Sequence, residues 1–299
     1  MSSFADKIRT SGELLRCSFN VLRRNPRLFI FPVAGAASFV VIWLFFFAPL
    51  IVWMNLGVRH DAAVTPPENW WMISAHYKFV MYLGGAVFYL IAMFVGTFMN
   101  VAFYHEILRA LGGEPVSVGS GLRFAQGRLG AIFLWSLLAG TVGLIIRTIE
   151  ERVGWLGKWV MAALGTVWSV AAVFAIPVII RRTDANPLAV LRDSVTTLKR
   201  TWGESLVGFV GLRLAGVVLI GGPLLFLFFG MILWGFFHFG WVGLMFAAIG
   251  LLGLAAGALA FGMATASYRC ALHVYASEGV VPEPFTAELM NAAWKVKKA

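Results

Sequence analysis

His105-Glu106 opens the His-Glu-x-x-His pattern, in which two histidines one helical turn apart hold zinc and the glutamate acts as base. The pattern stops there. Arg109 stands where the second histidine belongs, and His60, His76, His238 and His273 are scattered along the chain. Intramembrane aspartyl chemistry needs two Asp within apolar segments, and Asp6, Asp61, Asp184 and Asp193 all fall outside them. The sequence holds no GxSxG nucleophile elbow and no GxxxxGK[ST] phosphate loop. No catalytic residue, metal site or cofactor is assigned, and the chain reads as a non-enzyme.

Arg213 is the ionisable group placed deepest in an apolar segment, eight residues in from Ser205 and about 12 Å along a helix. A guanidinium at that depth either snorkels to the interface or meets a partner. Asn100, a phospholipid phosphate or Glu106 of a neighbouring helix would serve. Arg213 and Asn100 therefore form the candidate polar intramembrane site. No Asp or Glu lies deep in an apolar segment, which argues against proton- or sodium-coupled transport but not against an uncoupled channel. Cys17 and Cys270 read as free thiols. Arg147, three and four residues before Glu150 and Glu151, has the spacing of a helix-surface ion pair.

The elements that carry these residues follow from composition. Of 299 residues, 60% are hydrophobic and 13% charged, with a mean hydropathy of +0.83. That excludes an ordinary soluble enzyme, a disordered tail and a disulfide-stapled secreted module. A span needs about 20 apolar residues, and six segments qualify: 29–56, 77–104, 129–146, 155–180, 205–234 and 241–268. The last two are separated only by the Gly235–Gly240 break, but one helix over both would overshoot the bilayer roughly threefold. Residues 1–28 form an amphipathic segment before this domain and 269–299 a tail after it. Counting Lys and Arg gives 18 on one side and 5 on the other, which puts both termini in the cytoplasm. The net charge of +10 is explained by this retention, so no nucleic-acid partner is expected. Asn69, Trp70 and Trp71 look like interfacial anchors.

A threefold pattern runs through the spans. Residues 15–24 read L-R-C-S-F-N-V-L-R-R and residues 191–200 read L-R-D-S-V-T-T-L-K-R, with a weaker copy at Leu122, Arg123, Ala125 and Leu129. Each copy precedes an odd-numbered span. At 186–202, Asn186 would cap a helix with Pro187 in its first turn, and Leu188, Leu191, Val195, Leu198 and Trp202 share one face. The fold class is therefore an all-α membrane protein of six transmembrane helices, in three units of cytoplasmic amphipathic helix plus two spans. Arg16, Arg123, Arg192, Lys199, Arg200 and Trp202 are candidate contacts for lipid headgroups or a partner, unless these helices only anchor the cytoplasmic edge. In the sixth span, Gly253-x-x-x-Gly257 favours close helix–helix contact.

From Arg128 to Glu204 the chain resembles a bacterial family of six-span proteins known only as a domain of unknown function. The resembling residues are Arg128-Leu129-Gly130, Thr141-Val142-Gly143, Ile149-Glu150-Glu151-Arg152, Pro177 and Arg200-Thr201-Trp202-Gly203-Glu204. Members often have an acidic residue after the fourth span, where this chain has Arg181-Arg182-Thr183. More loosely, it is similar to the membrane domains attached to some glycerophosphodiester phosphodiesterases, whose separate catalytic domain has no counterpart here. The resemblance implies six helices and a membrane location and carries no active site. The expectation is a bacterial inner-membrane protein that acts as a lipid-interacting scaffold or accessory subunit, alone, as a homo-oligomer or with other membrane proteins. The alternative is a channel or uncoupled transporter for a small solute, alone or as a homo-oligomer.

Overall fold

Within a bilayer every backbone N–H and C=O must be paired by the chain itself, so long apolar runs fold as helices. A computed structural model describes residues 4–60, 75–201, 206–235 and 240–293, and helices dominate them. In chain order they are α1 (Phe4–Arg24), α2 (Ile30–His60), α3 (Ala75–Leu111), α4 (Val118–Gln126), α5 (Leu129–Arg152) and α6 (Trp155–Ala171). Then follow α7 (Ala175–Arg181), α8 (Pro187–Thr201), α9 (Leu206–Gly235), α10 (Gly240–Glu278) and α11 (Ala287–Ala293). The predicted anchors Asn69, Trp70 and Trp71, together with Trp202 and His238, lie outside the described residues.

Among the described residues five stretches are long and apolar enough to cross a membrane: Pro26–Pro49, Tyr82–Leu111, Leu129–Arg152, Trp155–Arg181 and Gly240–Glu278. The remaining expected span coincides with α9, of which Ile220–Gly235 is a shorter apolar helix. Large apolar side chains point away from the protein along these helices, with Phe45 at 76% and Trp241 at 84% exposure. Contiguous apolar surface of that extent needs lipid rather than water around it. Tyr82, Trp155, Trp159 and Trp241 are among the most exposed, near the starts of α3, α6 and α10. Aromatic rings with one polar atom favour the headgroup level, so they fit an interfacial belt.

The buried core lies at the other ends of these helices. It gathers Leu14, Val21 and Leu22 of α1, residues 101–107 of α3, Ile132 and Trp135 of α5, residues 174–180, Val190 of α8 and residues 263–272 of α10. Two helices reach it by running past their expected ends. At 37 and 39 residues, α3 and α10 are ~55 Å long or more, well beyond a ~30 Å hydrocarbon layer. Both stop where a glycine takes a left-handed conformation, Gly113 (φ 79°) and Gly279 (φ 70°), which a side chain would resist.

α9 and α10 pack so closely that glycine is required between them. A Cβ at Gly250 would fall 2.5 Å from the Leu227 nitrogen, and one at Gly230 would fall 2.6 Å from that of Ala247. Gly253 also faces α9, across from Pro223. Of the expected Gly253-x-x-x-Gly257 pair, Gly253 thus faces α9, while the closest approaches are at Gly230 and Gly250, and the contact is made within one bundle.

Candidate functional site

The three amphipathic helices cover the buried end, and their shared motif occupies matching environments. Arg16, Arg123 and Arg192 are each exposed, while Ser18, Ala125 and Ser194, two residues further on, are each fully buried. The predicted cap of α8 forms: Asn186 Oδ1 accepts from the backbone N–H of Leu188 at 3.0 Å and of Ala189 at 3.4 Å.

Ser194 does more than fill space. Pro177 lacks an N–H and crowds the carbonyl one turn earlier, so the helix breaks over residues 172–174 between α6 and α7. Ala175 N–H bonds to Ala172, which leaves the Ala171 carbonyl without its usual helical donor. Ser194 Oγ donates to that carbonyl at 2.6 Å and accepts from the Phe174 N–H at 3.1 Å. One hydroxyl from α8 thus pairs both groups freed by the break.

Glu106 sits at the α3–α4 junction, fully buried. Its Oε2 accepts from the Ser117 N–H at 2.7 Å, at the start of α4, and Arg109 Nη1 approaches its two oxygens at 3.3 and 3.5 Å. Arg109 also donates to Glu114 at 2.8 Å and to Ser120 at 2.9 Å. His105 Nδ1 lies 3.3 Å from Glu106, and the His105 ring stacks on Phe124 at 3.9 Å. Beside this cluster lies a cavity of about 500 Å³ lined by His105, Ser117, Gly119, Ser120, Arg123 and Phe124. Space for this fold-back is made by Gly121, where a Cβ would fall 2.8 Å from the Ala102 carbonyl. Sequence reasoning placed Glu106 at a helix end and rejected it as a zinc base. Its burial was not anticipated, although Gly112-Gly113 directly after α3 is the signal of a tight return.

A second polar cavity, about 400 Å³, lies between α7, α8 and α10 and is lined by Arg181, Arg182, Asp193, Thr196, His273 and Ser277, among others. Arg182 bridges Asp184, at 2.6 and 2.8 Å, and Asp193. Its own carbonyl accepts from Arg128, and Arg181 pairs with Glu278. The hydrogen bond from Arg182 holds the Asp184 carboxyl below the usual carboxylate range, and its bonds to Asp184 and Asp193 hold Arg182 above that of a free guanidinium. The arginines that follow the fourth span are therefore paired within the protein.

Asn100 lines the edge of an apolar groove of about 400 Å³ between α2, α3 and α10, and its Nδ2 donates to the Gly96 carbonyl at 2.9 Å. The side chains of its expected companion Arg213, and of Arg200, lie outside the described residues. Lys199 and Arg192 are exposed on α8. Arg123 shares a cavity with His105, and neither Arg16 nor Arg192 is among its lining residues. Arg147 pairs with Glu151 at 3.2 Å, on the exposed surface. Cys17 and Cys270 are free thiols, and burial followed by the nearby Glu13 pushes Cys17 above the ordinary thiol range. Among the described residues no three His, Cys, Asp or Glu side chains cluster as metal ligands would.

Residues 76–282 match a protein family described as being of unknown function (DUF6159), a longer stretch than the motifs quoted from the sequence. No curated protein and no solved structure matches the chain.

Proposed function

The chain belongs to this family of unknown function, DUF6159, and from that premise we propose that it is a non-enzymatic, multi-pass protein of a bacterial inner membrane. It acts as a lipid-interacting scaffold or accessory subunit, with both termini in the cytoplasm. Its partners are membrane lipids and either a second copy or another membrane protein.

One observation carries this reading. The buried core sits under α1, α4 and α8 at one end of the spans, and the motif arginine of each helix points outward from it. A rigid plate with exposed guanidinium groups at the level of the headgroups suits anionic lipid or an acidic partner face. The polar clusters beneath are engaged with one another: Glu106 with Ser117 and Arg109, Arg182 with Asp184 and Asp193. Such pairing stabilises an architecture rather than leaving a nucleophile and base free to react.

The test is native mass spectrometry of protein extracted from membranes of mixed anionic and zwitterionic lipid. The triple variant Arg16→Gln, Arg123→Gln, Arg192→Gln is expected to lose at least half of its anionic-lipid adducts. Unchanged adducts would refute the contact role. Reproducible flux of a small solute into proteoliposomes would overturn the scaffold reading in favour of the channel.

A further inference from the structure

The groove that includes Asn100 has a shape and a polarity that the packing of the bundle does not explain. Its walls are Phe31 and Phe39 of α2, Met99 and Phe103 of α3, and Leu259 and Met263 of α10. From Phe31 to Ile42 it follows α2 for about 16 Å. Glycines line it for a different reason than between α9 and α10. A Cβ built at Gly96 or Gly262 would meet nothing within 4 Å, whereas at Gly250 it would strike backbone. The first two glycines keep a channel open, and the third lets two helices touch. The groove is open sideways, because Gly96, Asn100, Leu259 and Gly262 are exposed on helices whose outer faces are apolar.

Charge stands at one end of the groove. Arg27 precedes Phe31 by four residues, is exposed, and donates to the Val116 carbonyl at 3.4 Å. Arg269 follows Ala266 by three residues and lies against the Tyr104 side chain, which lines the groove at that end. Its Nε is buried without a hydrogen-bond partner among the described residues. Among the described residues no acidic side chain lines the groove. An apolar trough along the spans, open to the surrounding hydrocarbon and with Arg27 and Arg269 just beyond its core end, complements an acyl chain joined to a negatively charged phosphate.

We propose that the groove between α2, α3 and α10 holds an acyl chain of one anionic phospholipid, its phosphate directed to Arg269 and Arg27. This rests on the lipid-interacting reading above and adds to it a single structural lipid, distinct from those gathered by the motif arginines.

The experiment uses the full-length protein in nanodiscs of phosphatidylglycerol and phosphatidylethanolamine, released for native mass spectrometry. Wild type should retain one phospholipid of phosphatidylglycerol mass after the bulk lipid is stripped. The double variant Gly96→Leu, Gly262→Leu fills the open space and should lower that occupancy at least fivefold. Arg269→Gln leaves the trough intact and should keep a lipid but lose the preference for phosphatidylglycerol, which also tests the idea if the filled variant fails to fold. An undiminished adduct in the filled variant, or unchanged headgroup preference in Arg269→Gln, overturns the proposal. So does a dimer in which a second copy takes the place of the lipid. The triple arginine variant of α1, α4 and α8 should keep the retained lipid. If wild type lacks that lipid while the triple variant still loses its other adducts, the groove assignment falls and the scaffold reading stands.

Discussion

At the residue scale the decisive group is Glu106. A carboxylate at the end of an apolar helix ordinarily reaches water, but here α4 folds back over it and donates the Ser117 N–H. With Arg109 at its side, the carboxylate remains in place as an acceptor for a turn that would otherwise bury unpaired donors. Glu106→Ala removes the shared acceptor and should destabilise the folded protein by about 2–4 kcal/mol. Glu106→Gln preserves shape and one carbonyl acceptor, and its cost should be about half as great. Denaturant titration in mixed micelles measures both, and equal losses would show that charge rather than the acceptor matters. In the sequence His105, Glu106 and Arg109 read only as an incomplete zinc motif, with Glu106 at a helix end. It did not reveal that they are buried, because burial depends on a contact across the α3–α4 turn.

At the element scale the repeated motif separates into a common and a particular part. The copies were recognisable in the sequence by their shared Leu and Arg positions, and the structure adds that the small residue of each, Ser18, Ala125 and Ser194, is buried. The hydroxyls differ in use. Ser18 Oγ donates to Leu14 in its own helix at 2.9 Å, whereas Ser194 pairs two groups of the broken α6–α7 helix. Ser18→Ala should therefore be close to neutral, and Ser194→Ala should cost about 1–3 kcal/mol by removing the hydroxyl that bonds both the Phe174 N–H and the Ala171 carbonyl. Amide exchange at Phe174 should rise in the second variant only, and equal behaviour of the two would refute the distinction. Spacing of Leu188, Leu191, Val195 and Leu198 made α8 legible as a helix. The break it closes was not read, although Pro177 was already among the resembling residues, since proline in an apolar run signals a kink without saying what repairs it.

At the scale of the whole molecule, helix length and hydropathy identify a multi-pass membrane protein. The proposed orientation belongs to this scale too. Phosphatase fused after residue 299 or before residue 1 should be inactive, and a fluorescent protein at either place bright, as for a cytoplasmic position. An active phosphatase at either terminus would reverse the assignment. The sequence by itself determined the long apolar helices and the recurrence of the amphipathic helix. Each of these rests on residues a few positions apart, where helical geometry sets the relation. Only the tertiary structure decided that the core collects at one end, that Glu106 and Arg182 are internally paired, and that glycines of one composition serve two purposes. Gly230 and Gly250 at α9–α10 meet backbone, and Gly96 and Gly262 of the groove meet open space, because what faces a glycine is set by which helices become neighbours and not by the glycine's own surroundings in the chain.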